Sequence, residues 1–74
     1  MRLTECKKGA QVRIVMVNAG RGAVGNLSRM GLSVGNIVKV ARNSSFRGPV
    51  LVVYRDTEIA IGHKLASKIT VEQA

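Results

Sequence analysis

The side chains able to do chemistry are few and scattered. Cys6 and His63 are the one cysteine and the one histidine, and apart from methionine they are the only soft metal ligands. A structural zinc site takes about four ligands and a catalytic one about three. Cysteine and histidine of a single chain therefore fall short. A site shared between subunits, with Glu58 or Glu72 helping, is the remaining way to build one. On its own, Cys6 reads as a small buried or half-buried apolar residue, and His63 as an exposed residue at a helix start. Nucleophilic catalysis needs a base beside the nucleophile and a third group to orient it. One histidine, with carboxylates only at Glu5, Asp56, Glu58 and Glu72, supplies no such set. The expectation is a protein that is not an enzyme, with no catalytic residue, no cofactor and no metal ligands of its own.

Gly20-Arg21-Gly22-Ala23-Val24-Gly25 matches the GxGxxG pattern of dinucleotide-binding loops. That pattern also needs a second parallel strand and an acid about 20 residues further on. The corresponding stretch holds Asn43, Ser44, Ser45 and Phe46, and no acid follows until Asp56. The plain reading is a loop whose glycines allow unusual backbone angles. Twelve Lys and Arg against four acids give a net charge of +8. Such a balance suits an acidic partner: nucleic acid, anionic lipid or an acidic protein face. The basic residues are spread along the chain with no run, which excludes a basic tail. Barrels that hold single-stranded nucleic acid stack bases on aromatic rings, and here only Phe46 and Tyr54 are available. Nucleic acid is therefore the weaker expectation.

These residues must be positioned by short elements. A chain of 74 residues, 46% apolar and 22% charged, reads as one globular domain over 1–74. It is near the lower size limit for an independent core, so docking or self-association is in view. Valine and isoleucine supply 16 residues, a β-leaning choice. Gln11–Val17 alternates, with Val12, Ile14 and Met16 on one face: a strand. Asn18–Gly22 breaks it. Ala23–Met30 reads as a weak helix, closed by Gly31 in a left-handed cap with Leu32 packing back. Ser33–Asn36 is a tight turn. Val38 and Val40 flank Lys39 in a second strand. A polar loop over Asn43–Gly48 leads to Pro49 and a third strand, Val50–Tyr54. A turn at Arg55–Thr57 joins it to Ile59–Ile61 as a hairpin. One helical turn within Gly62–Ser67 and a short strand, Ile69–Val71, follow. Four or five short strands with one small helix suggest a small closed or half-open barrel, whose closure would hide strand edges. The expected core is Val12, Ile14, Leu27, Met30, Leu32, Val38, Val40, Val50, Val52, Ile59, Ile61, Ile69 and Val71.

The order of these elements resembles a known family. Leu27-Ser28-Arg29-Met30-Gly31-Leu32-Ser33-Val34-Gly35 is similar to the L-x-x-L/M-G-L-x-x-G pattern of the FeoA family, the small cytosolic component of bacterial ferrous iron transport. Gly48-Pro49-Val50 resembles its GP loop, and Ile59-Ala60-Ile61 with Ala66, Ile69 and Val71 resembles its closing pattern. The resemblance implies a mainly β fold, an SH3-like barrel of about five strands with one short helix between the first strands. It further implies a cytoplasmic accessory protein that acts on FeoB, a membrane permease for ferrous iron with a GTPase domain. The same module ends iron-dependent repressors, but the DNA-binding segments of a repressor are missing here. Many members carry polar residues where this chain has Leu51 and Val53, and a basic residue where it has Gly62.

The expected partner surface follows from the third strand. If Val50, Val52 and Tyr54 face the interior, Leu51 and Val53 form an outward apolar strip, which soluble monomers seldom expose without a use. Arg42, Arg47 and Arg55 would lie around it and favour an acidic partner face. A second copy of the chain is the other occupant expected, and the loop holding Phe46 is the alternative cover. The alternatives for the whole chain are a basic SH3-like barrel that binds nucleic acid and a regulatory domain of the repressor type.

Overall fold

Alternation of buried and outward valines makes Val50–Tyr54 a strand, and every other strand is built by the same rule. The computed structural model describes residues 1–44 and 47–74. A 3-10 turn at Leu3–Glu5 precedes β1 (Gln11–Val17), α1 (Arg21–Arg29), β2 (Ile37–Asn43), β3 (Val50–Tyr54), β4 (Thr57–Ile61), α2 (His63–Ala66) and β5 (Ile69–Gln73). The strands form one sheet in the order β4-β3-β2-β1-β5, with every pair antiparallel.

The expected barrel closure is not seen. The sheet is open, with β4 and β5 as its edges. The outer side of β5 is taken by the N-terminal segment instead: Arg2 bridges to Thr70, and the Val71 N–H donates to the Met1 carbonyl at 2.7 Å. Leu3, fully buried, fills the core beneath that segment.

Twelve of the thirteen expected core residues are buried, from Val12 to Val71. Met30 is the exception: it lies half-buried against the core, because it caps α1 at the end where the helix leaves the sheet. Leu3, Cys6 and Ala66 complete the core; Cys6 is buried as its apolar reading implies, and Leu3 and Ala66 were not expected there. Met16 is also displaced. The register of β1 on β5 shifts between Ile14 and Met16, so a bulge turns Met16 out to 55% exposure. Val17 then pairs with Ile69 and packs against the core. A bulge adds one residue to a strand, so it inverts which faces the later residues occupy.

The helix α1 begins at Arg21, two residues earlier than Ala23, with Gly20 as its N-cap. Its other end matches expectation. Gly31 has φ of +92°, the Leu32 N–H donates to the Leu27 carbonyl at 3.0 Å, and the Gly31 N–H donates to Ser28 at 2.9 Å. That bond pair is the Schellman closure, with Leu32 and Leu27 both buried beside it. Among the described residues, no helix is long and apolar enough to cross a membrane.

Candidate functional site: the outward face of the third strand

On β3, Val50 and Val52 are fully buried, while Leu51 and Val53 point away from the core and are half-buried. Their cross-strand neighbours define the surroundings. Val53 stands between Lys39 on β2 and Glu58 on β4, and Gln11 of β1 faces Lys39 from the far side. Leu51 stands between Arg42 on β2 and Ala60 on β4. A second bulge, at Ala41, separates these two rows on β2.

Of the three arginines expected around the strip, the ladder brings one, Arg42, directly beside it. Arg55 lies in the two-residue hairpin turn with Asp56, both at positive φ. Its guanidinium sits 5.2 Å from the centre of the Tyr54 ring, a cation–π contact. Tyr54 packs toward the core, so this contact draws Arg55 away from the strip. Arg47 is exposed in the loop before Pro49, also at positive φ. The alternative cover by Phe46 lies outside the described residues.

Two cations were not anticipated. Lys8 and Lys39 line a concavity of about 360 Å³ with Gly9, Val40, Ala41 and Val53. Lys39 alternates with Val38 and Val40, so its outward position could have been read; its pairing with Val53 could not, because it depends on the bulge. Lys8 carried no signal at all. It is placed by backbone bonds: the Gly9 N–H donates to the Val40 carbonyl at 2.7 Å, and the Val40 N–H to the Ala10 carbonyl at 2.8 Å.

A second apolar surface lies beside α1. Val17, Val24, Leu27, Leu32 and Val34 line a groove of about 240 Å³ beside α1, with Val24 and Val34 exposed.

The metal-ligand candidates are dispersed. Cys6 is buried after the 3-10 turn, and its thiol lies 3.7 Å from the Arg2 carbonyl. Burial, helped by the Glu5 carboxylate, raises the thiol pKa above its ordinary value, against a smaller opposing pull from the N-terminal amine. His63 opens α2 and is half-buried. Glu72 is paired with Arg13 at 2.9 Å, and Glu58 is exposed on β4. Among the described residues, no three of His, Cys, Asp and Glu come together. The glycine pattern at Gly20–Gly25 caps and begins α1 between antiparallel strands, not within a parallel βαβ unit.

Five antiparallel strands in one sheet with one helix between the first two make an SH3-like fold of the FeoA kind. The FeoA domain matches residues 1–73, and the chain belongs to the FeoA family. It is 42% identical over 72 residues to a protein of Methanocaldococcus jannaschii named as an Fe(2+) transport protein A, covering 97% of this chain and 85% of that one. It superposes on the crystal structure of an iron uptake regulatory protein, FeoA, with a TM-score of 0.87 and 27% identity, over 100% of this chain and 96% of the other. A manganese-dependent transcriptional repressor gives a TM-score of 0.91 at 19% identity, over 100% of this chain but 41% of the repressor. That last similarity is one of fold.

Proposed function

We propose that this chain is an accessory protein of ferrous iron transport that acts from the cytoplasm by docking on the cytosolic part of a FeoB-like permease. The observation that carries the reading is the FeoA match along residues 1–73. The outward face of β3 supports a binding role: Leu51 and Val53 form an apolar centre, with Arg42 and Lys39 as flanking cations. In such surfaces the desolvated centre holds the complex, while rim charges speed encounter and add salt dependence. The proposed protein works as one domain, without chemistry of its own.

The test is a pull-down of the permease's cytosolic part with the double variant Leu51→Ser plus Val53→Ser. Both side chains lie off the core, so the fold should persist. The expected result is weakened capture. Unchanged association in a folded double variant would move the surface to the Val24–Val34 groove, where Val34→Ser is the matching probe.

A further inference from the structure

The concavity beside Val53 has features of a receptor rather than a gap in packing. Its apolar lining comes from Ala41 and Val53, beside the fully buried Val40. Its two cations come from elements far apart in sequence, yet both are fixed by backbone. Lys39 lies mid-strand in β2 between two buried valines. Lys8 lies in the turn Lys7–Ala10, closed by the Ala10 N–H donating to the Lys7 carbonyl at 3.0 Å, with Gly9 at φ +93°. That turn is bonded to β2 through both the N–H and the carbonyl of Val40. The β2–β3 register shifts at Ala41, beside Lys39; bulges often re-aim side chains at binding sites.

Charge decides what would occupy it. Arg13–Glu72 is the one ion pair among the described residues, so neither lysine is neutralised by a carboxylate within bonding distance. Glu58, the nearest acid by register, stands on the opposite side of Val53 from Lys39. A second copy of a chain with net charge +8 is a poor occupant, because like charges would face each other. Single-stranded nucleic acid is held by stacking on aromatic rings, and among the described residues no aromatic one lines the concavity.

We infer that this concavity receives an acidic, partly apolar segment of a partner protein, its carboxylate held between Lys8 and Lys39 and its apolar side chain on Val53 and Ala41. This deepens the docking role proposed above and rests on it for the identity of the partner.

Two experiments keep the inference and that role separable. The first uses the chain alone, titrated with the peptides acetyl-Leu-Glu-Leu-Glu-amide and acetyl-Leu-Lys-Leu-Lys-amide while amide shifts are followed by NMR. The acidic peptide should move Lys8, Gly9, Lys39, Ala41 and Val53 saturably, and the basic one should not. Absent shifts, or shifts centred on Lys64 and Lys68, would overturn the pocket. The second measures affinity for the permease's cytosolic part. Lys8→Glu plus Lys39→Glu should weaken it by about tenfold or more and blunt its salt dependence, whereas Lys64→Glu plus Lys68→Glu should change it by about twofold or less. Loss of equal size in both variants would reduce the effect to net charge and overturn the site. If wild type fails to bind the permease part but the acidic peptide still binds, the permease role falls and the pocket stands. Binding to phosphatidylglycerol vesicles that is lost with Lys8 and Lys39, without peptide binding, would assign the site to lipid and defeat the inference.

Discussion

Asn43 and Cys6 show how single side chains tie the N-terminal segment to the sheet. The Asn43 side-chain amide donates to the carbonyls of Thr4 at 2.8 Å and Cys6 at 2.6 Å. In the sequence Asn43 looks like the first residue of a polar loop; nothing local reveals that its partners lie almost forty positions away. Asn43→Ala leaves two carbonyls short of donors in a partly buried site. The expected cost is about 1–3 kcal/mol in denaturant unfolding, since unmet buried polar groups are expensive. Cys6 was legible as an apolar filler, and its raised pKa follows from that burial. A folded-state pKa above the unfolded one gives stability that is fully present below the unfolded thiol value, about 8.5, and lost as pH rises toward the folded value. Unfolding free energy should therefore decline more steeply above about pH 8 in the wild type than in Cys6→Ala. Parallel declines would show that the thiol titrates alike in both states.

Elements were legible where their ends carry chemistry. The α1 C-terminus announces itself through Gly31 followed by an apolar residue, and the structure closes it with the expected bonds. A Cβ at Gly31 would meet nothing within 4 Å, so the cost of Gly31→Ala is backbone strain alone. That cost is about 1–2 kcal/mol, measurable as a lowered unfolding midpoint; an unchanged midpoint would mean the cap relaxes into another closure. The bulges were not legible. Val15 and Ala41 are ordinary strand residues, and a bulge arises from how two strands meet rather than from either sequence. Hence Met16 appeared to face inward with Ile14, although it does not. The candidate site divides the same way: Leu51 and Val53 follow from alternation within one strand, whereas the convergence of Lys8 and Lys39 depends on a turn locked to a distant strand. Closure of the expected closed or half-open barrel was not legible either: β4 and β5 remain edges, and Arg2 bridges to Thr70 on the outer side of β5.

At the scale of the whole molecule, a charge of +8 is confined to extents of 28 × 26 × 21 Å. Most charges lie within two or three Debye lengths of one another, the Debye length being about 10 Å at 0.1 M salt. The one described ion pair is half exposed and offsets little of this repulsion. Raising ionic strength from low values to about 0.3 M should therefore raise the melting temperature. A fall on adding salt would show that local attractions outweigh the net repulsion. The order of strands in the sheet also carries a kinetic consequence. The first strand lies between β2 and the last strand, with Val12 opposite Gln73. During synthesis β1 leaves the ribosome early, yet one of its two edges has no partner until the C-terminal residues emerge. Until β5 has been made, β1 keeps one valine-rich side unpaired, the kind of edge that invites pairing between neighbouring chains. Loop closure across nearly the full length must precede the final ladder, which places folding among the slower, high-contact-order topologies. Slowing elongation over the codons of β5 should therefore increase aggregation of this chain, while doing so over α1 should not.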